Sequence, residues 1–145
     1  MSKILRLAEA MKRGELPPPP IAKLLGMRLI DVKIGEAIME LDADERHANP
    51  MGTLHGGVLC DLGDAAMGTA FASTCEDDET YATIEMKCNF LRPVWTARLR
   101  AIAKMVHRGK TIGLAECDIT DERGRLIAKL SSTLTVLRGD AAKGR

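Results

Sequence analysis

Apolar and polar positions along the chain repeat with two different periods, and the change of period marks out its elements. Ile4, Leu5, Ala8 and Met11 fall on one side of a helix over residues 2–13, which Gly14 ends. Prolines 17, 18, 19 and 20 then predict a short stiff polyproline spacer. Residues 27–32 and 37–41 pattern as the strands of a hairpin around Gly35, and residues 46–57, rich in His, Asn, Pro and Gly, as a loop. The clearest helix is predicted over 57–74. There Val58, Leu59, Leu62, Ala65, Ala66, Thr69 and Ala70 cover a broad apolar arc, while Gly57, Asp61, Asp64 and Gly68 share the narrow remaining strip.

After the acidic turn Glu76, Asp77, Asp78, Glu79 the period drops to two. Ala82, Ile84, Met86, Cys88 and Phe90 alternate with Thr83, Glu85, Lys87 and Asn89. Further strand runs follow over 98–106, 111–120 and 126–138, separated by turn signals at Arg108-Gly109-Lys110 and Asp121-Glu122-Arg123-Gly124. Consecutive strands with short turns pair antiparallel, because parallel neighbours need long crossovers. The predicted fold class is α+β: a mostly buried helix on an antiparallel sheet of about five or six strands. The domain spans 24–138, after a helix and spacer (1–23) and before a tail (139–145).

Composition narrows the function. With 145 residues, 46% of them hydrophobic, the chain is the size of one domain and needs no disulfide or metal staple. Lys and Arg number 21 against 20 Asp and Glu, so the basic excess of a nucleic-acid binder is missing. Four aromatics, Phe71, Tyr81, Phe90 and Trp95, are too few for a base-stacking platform. Cys60, Cys75, Cys88 and Cys117 form no C-x-x-C pair and read as small buried hydrophobes. His47, His55 and His107 are scattered, so no metal and no cofactor is expected. Neither a cleavable leader nor an apolar run long enough for a membrane span is evident, and a soluble cytoplasmic protein is expected.

Two features carry candidate chemistry. The stretch from Asn49 through Gly52 and His55-Gly56-Gly57 runs straight into the main helix. Glycine admits a ligand close to the backbone, and the first N–H groups of a helix lack internal partners, so they suit an anion or a polarised carbonyl oxygen. Asp64 is the second: a carboxylate in the third turn of a buried helix is costly unless paired or functional. Asp61, nearer the N-terminus, has the helix dipole as a structural reason to be there. Gly57 and Asp64 are seven residues apart, about 10 Å along the axis at ~1.5 Å per residue. One helix does not readily bring both to one carbonyl, whereas two antiparallel copies can pair Gly57 of one with Asp64 of the other.

His47-Ala48-Asn49, Gly52, His55-Gly56-Gly57 and Asp64, followed by Phe90-Leu91-Arg92-Pro93 and the turns at Arg108-Gly109-Lys110 and Gly124, resemble the hotdog-fold acyl-CoA thioesterases of the PaaI-like branch. The resemblance covers about residues 24–138. It implies a long helix wrapped by a curved sheet, homodimers with shared active sites, and pairing of dimers into tetramers. It further implies that the Gly57 N–H polarises the thioester carbonyl and that Asp64 of the partner chain acts as nucleophile or general base. Asn49 would order the loop or position water, Thr83 would stand beside the acid, and His55 would fix the turn with Gly56 next to the substrate. Glu85, expected on the same strand face as Thr83, is a further candidate. The substrate is an acyl-CoA, aryl or short- to medium-chain, with no nucleic acid or membrane as partner.

A serine hydrolase is disfavoured by the missing G-x-S-x-G motif. The rival class is a non-catalytic acyl-CoA sensor on the same fold, which would call for a DNA-binding module that residues 1–23 are too short to supply. The near-zero net charge also conceals a segregation. Between His47 and Met86 stand seven acids and no Lys or Arg, and between Lys87 and Ala115 seven bases and no acid. Cations beside turns suit the phosphates of coenzyme A, which makes Arg92, Arg108 and Lys110 candidate substrate-binding residues; solvated strand faces are the alternative.

Overall fold

Gly35 adopts φ 76°, a left-handed conformation open to glycine, and turns strand Arg28–Lys33 (β1) back into Glu36–Ala43 (β2). In the computed structural model, which describes residues 2–145, this hairpin begins a six-stranded sheet. Its other strands are Glu79–Phe90 (β3), Ala97–Arg108 (β4), Ile112–Thr120 (β5) and Leu126–Arg138 (β6). Their spatial order is β1-β2-β4-β5-β6-β3, antiparallel throughout, so β3 and β1 are the edges. Two further helices, Lys3–Lys12 (α1) and Pro20–Leu25 (α2), precede the sheet, and Gly56–Ala72 (α3) lies across its concave face. The expected α+β class and helix-on-sheet layering are observed.

The core forms between α3 and the sheet. Leu62, Ala66, Met67, Ala70 and Phe71 are fully buried against inward residues such as Leu41, Leu99, Leu130 and Leu134. Close approach sets a composition rule: a Cβ at Gly63 would come within 2.4 Å of Leu130 Cδ2. Glycine, which costs a helix about 1 kcal/mol relative to alanine, lets α3 lie flush on β6 without displacing the fully buried Leu130 side chain.

Three expectations are corrected. The prolines are not merely a spacer: Pro20 opens α2, whose Gly26 cap takes φ 82° and donates its N–H to Ala22 O at 2.8 Å. Ala22 and Met27 belong to the main core, so the arm at residues 2–26 packs on the domain. The alternation along β3 does not run unbroken either. Thr83 is opposite Leu134 and Glu85 opposite Thr133, so Ile84 is an extra residue in a β-bulge. Consequently Tyr81 and Thr83 face α3, followed by Met86 and Cys88, and Ile84 is 56% exposed. Thr83 and Glu85 therefore point to opposite faces, and Glu85 instead accepts hydrogen bonds from the Thr133 N–H and Oγ1 at 3.0 and 2.9 Å.

The acidic turn anchors neighbouring elements. Asp77 accepts the Lys3 N–H at the start of α1 at 2.7 Å. The buried Glu79 carboxylate lies between Arg108, at 2.8 Å, and Arg138. Burial opposes its charge, but the Glu76 N–H and the two guanidiniums outweigh burial and hold its carboxyl below the ordinary 4.5. Because the folded-state pKa is the lower one, this stabilisation is present above pH 4.5 and fades as pH falls through the folded value. Glu79→Gln should cost about 2 kcal/mol at neutral pH, with the partly exposed arginines limiting the loss. Urea unfolding at a series of pH values should show this difference shrinking on acidification.

Candidate active site

The loop before α3 is built by its own polar side chains. Asn49 donates from Nδ2 to Thr53 Oγ1 at 2.7 Å and accepts the N–H groups of Met51 and Thr53 on Oδ1, at 2.9 and 3.2 Å. Its amide orders the loop. His47, buried, accepts the Asp44 N–H on Nδ1, and its Nε2 lies 2.9 Å from Leu25 O, tying the end of α2 to this loop. His55 caps α3: its Nδ1 accepts the Gly57 N–H at 2.9 Å. The Gly56 N–H has no hydrogen-bond partner among the described residues. The Phe90 ring packs so closely over Gly56 that a Cβ there would come within 3.0 Å of it. A cavity of about 360 Å³ opens beside this helix start, lined by Gly56, Phe90, Arg92 and Pro93 among others.

Two turns further along α3, Asp64 is half-buried and accepts the Thr83 hydroxyl on Oδ1 at 3.1 Å. That bond is made possible by the bulge, which keeps Thr83 on the inner face while the following residues change faces. Asp61, Asp64, Ala65, Thr69 and Tyr81 form one side of a larger cavity of about 910 Å³. The amino-terminal arm forms the opposite side with Met11, Leu16, Ile21 and prolines 17 to 19. Its walls are chiefly aliphatic and thioether groups, with the carboxylates of Asp61 and Asp64 on the α3 side and Lys12, Glu15 and Arg28 toward the arm and β1, which suits an apolar group attached to a reactive centre. The arm and Tyr81 are the parts of this cavity that sequence reasoning missed. For Tyr81 the signal was present, two residues before Thr83 on one strand face.

The candidate bases separate into committed and free. Arg108 donates to Glu79, to Thr74 Oγ1 at 2.9 Å and to Gly109 O, and its guanidinium lies 5.0 Å from the Phe71 ring centroid. It is a structural cation and leaves the substrate-binding set. Arg98 and Arg100 of β4 pair with Asp42 at 2.9 Å and Glu40 at 2.6 Å on the neighbouring β2, so this part of the basic segment balances acids across the sheet. Arg92 and Lys110 are exposed and have no ion-pair partner among the described residues. They lie beyond opposite ends of β3, some 35 Å apart at ~3.3 Å per residue, too far to share one phosphate in one chain. Arg92 is the one beside Gly56.

A helix cradled by an antiparallel sheet, with a glycine-rich helix start and an acid two turns on, is the layout of a hotdog-fold thioesterase. The thioesterase superfamily model matches residues 51–128. The chain is 30% identical over 116 residues to 1,4-dihydroxy-2-naphthoyl-CoA hydrolase of Listeria monocytogenes, covering 80% of this chain and 94% of that one. Its backbone superposes on the PaaI protein of the Escherichia coli phenylacetic acid degradation operon with a TM-score of 0.83 and 25% identity, over 94% and 95% of the two chains. A phenylacetic acid degradation-related protein of Ralstonia eutropha gives 0.80 and 28%, over 88% and 98%. The chain belongs to the thioesterase superfamily, in its PaaI-like branch.

Asn49→Ala removes the side-chain bonds that close the loop. It should destabilise the protein by about 1–3 kcal/mol and speed hydrogen exchange at the Met51 and Thr53 amides, with little change in strand amides.

Proposed function

We propose that the protein hydrolyses the thioester of an acyl-CoA to free acid and CoA, with Asp64 and the start of α3 as the catalytic groups. The observation that carries this reading is Asp64 itself, held by Thr83 through one oxygen at 3.1 Å and opening onto an apolar cavity of about 910 Å³. The names of relatives that are CoA-ester hydrolases support the substrate class.

The acyl group occupies the cavity between α3 and the arm, which places its carbonyl next to Asp64. With Oδ1 engaged by Thr83, Oδ2 is the oxygen available to the reaction. It can attack the carbonyl carbon to give an anhydride, or take a proton from the water that attacks. Either route puts negative charge on the carbonyl oxygen, which needs donors about 2.7–3.1 Å away. The α3 start has them: the substrate oxygen takes the place of His55 Nδ1 on the Gly57 N–H, beside the unpartnered Gly56 N–H.

In this reading those donors come from a second subunit. Strand β3 is an edge of twelve residues, and a long edge with free N–H and C=O groups is a template for pairing. Two copies joined antiparallel along β3 oppose the two α3 helices and bring Asp64 of one toward Gly57 of the other. Arg92, beside that helix start, is the cation placed for a CoA phosphate. A homodimer with two shared sites is thus part of the proposal, and tetramers are formed by pairing such dimers.

A screen of aryl-, short- and medium-chain acyl-CoAs, following free thiol, should show turnover of at least one class. Asp64→Ala should lower kcat by at least about a hundredfold and Thr83→Val by about tenfold, the latter with little change in KM. Full activity in the Asp64 variant would remove it from the chemistry, and silence toward every CoA ester would reject the enzyme reading.

A further inference from the structure

The inner face of β3 meets α3 at two successive turns. Thr83 meets Asp64, and two residues earlier on that face Tyr81 meets Gly68. Gly68 is four residues after Asp64, about 6 Å along the helix at ~1.5 Å per residue. A Cβ at Gly68 would lie 2.4 Å from the Tyr81 hydroxyl oxygen, so glycine is what admits the phenol to this position. The ring is braced on Phe71, with centroids 5.6 Å apart and planes tilted by 49°.

The Tyr81 hydroxyl has no hydrogen-bond partner among the described residues, yet no polar side-chain atom among them is both fully buried and unsatisfied. The hydroxyl is therefore not fully sealed by the protein, and Tyr81 lines the 910 Å³ cavity beside Asp64. The other side-chain donors on that lining each have a partner. Thr69 Oγ1 donates to Ala65 O at 2.8 Å, Lys12 binds Asp31 at 2.7 Å and Arg28 binds Asp42 at 3.0 Å. Burial, and after it the charge of Asp64, pushes the phenol up to about 12, so it remains a proton donor throughout the working pH range. A neutral donor set into an apolar wall loses free energy unless something accepts its proton.

We infer that Tyr81 is a specificity-determining residue, whose hydroxyl hydrogen-bonds an oxygen carried by the acyl group near its thioester and so favours hydroxy- or keto-substituted acyl-CoAs. The inference rests on the reading of this cavity as the acyl site. With the carbonyl beside Asp64, a hydroxyl one helical turn further on reaches a substituent two to four carbons along the acyl group.

The test compares kcat/KM within two substrate pairs: butyryl-CoA against 3-hydroxybutyryl-CoA, and benzoyl-CoA against 2-hydroxybenzoyl-CoA. In at least one pair the natural protein should favour the oxygenated member by about three- to tenfold, the worth of one neutral hydrogen bond. Tyr81→Phe, which keeps the ring on Phe71, should bring that ratio close to one. Gly68→Ala, which displaces the hydroxyl without removing it, should do the same. A ratio near one in both pairs for the natural protein, or a ratio that survives Tyr81→Phe, overturns the inference while leaving the thioesterase reading in place. Failure to hydrolyse any of the four esters while other acyl-CoAs turn over would also overturn the inference, and silence toward every CoA ester would overturn the thioesterase reading itself.

Discussion

The closeness of α3 to the sheet governs the rest of the molecule. A helix that carries a carboxylate and still lies flush on strands must give up side chains where backbone meets neighbour. The glycines at 63 and 68 mark two such places, one against Leu130 and the other against Tyr81. Once α3 is seated, Asp64 is near enough to β3 for a hydroxyl to hold it, and the costly half-burial of a carboxylate is offset by the Thr83 bond and by access to the cavity. Were α3 an ångström or two higher, neither the Thr83–Asp64 bond nor the Tyr81 brace would form. The packing of the core and the geometry of the candidate site are thus one constraint.

Charge is used in two distinct ways. Glu79, Arg108 and Arg138 knot the start of β3 to the ends of β4 and β6, and Glu40 and Asp42 bind cations from the strands on either side. These groups hold the sheet together. Asp64, Arg92 and Lys110 are free of ion pairs among the described residues, and of these Asp64 and Arg92 stand at the two cavities. A charge that structure does not consume is the better candidate for chemistry, which is why Arg108, as close to a turn as Arg92, drops out.

Much of the fold was legible because it follows from periodicity: the helix predicted over 57–74 spans Gly56–Ala72, and the last strand runs over 126–138 as expected. Of the candidate site, helix chemistry singled out Asp64, and the resemblance pointed to the loop-ordering Asn49 and the turn-fixing His55, whose side chains do close the loop and cap α3. What stayed hidden depends on geometry that no window of sequence contains. The bulge at Ile84 moves Glu85 to the outer face because the strand opposite lacks a matching residue, a fact of pairing rather than of β3 itself. The short helix after the prolines is held by tertiary burial of Ala22, and six residues are too few to stand alone. Arg108 looks like a loop cation until Glu79, twenty-nine positions away, is folded against it.

If each site joins Asp64 of one chain to Gly57 of another, as proposed, then mixing inactive subunits restores activity. Asp64→Ala and Gly57→Pro chains, each carrying a different affinity tag, are co-expressed, and the heterodimer is isolated through both tags in turn. Each variant alone should be nearly inactive. The heterodimer, with one intact site and one doubly broken, should recover about half of the natural kcat per dimer. A heterodimer proven by both tags that hydrolyses no faster than its parents would contradict the shared site.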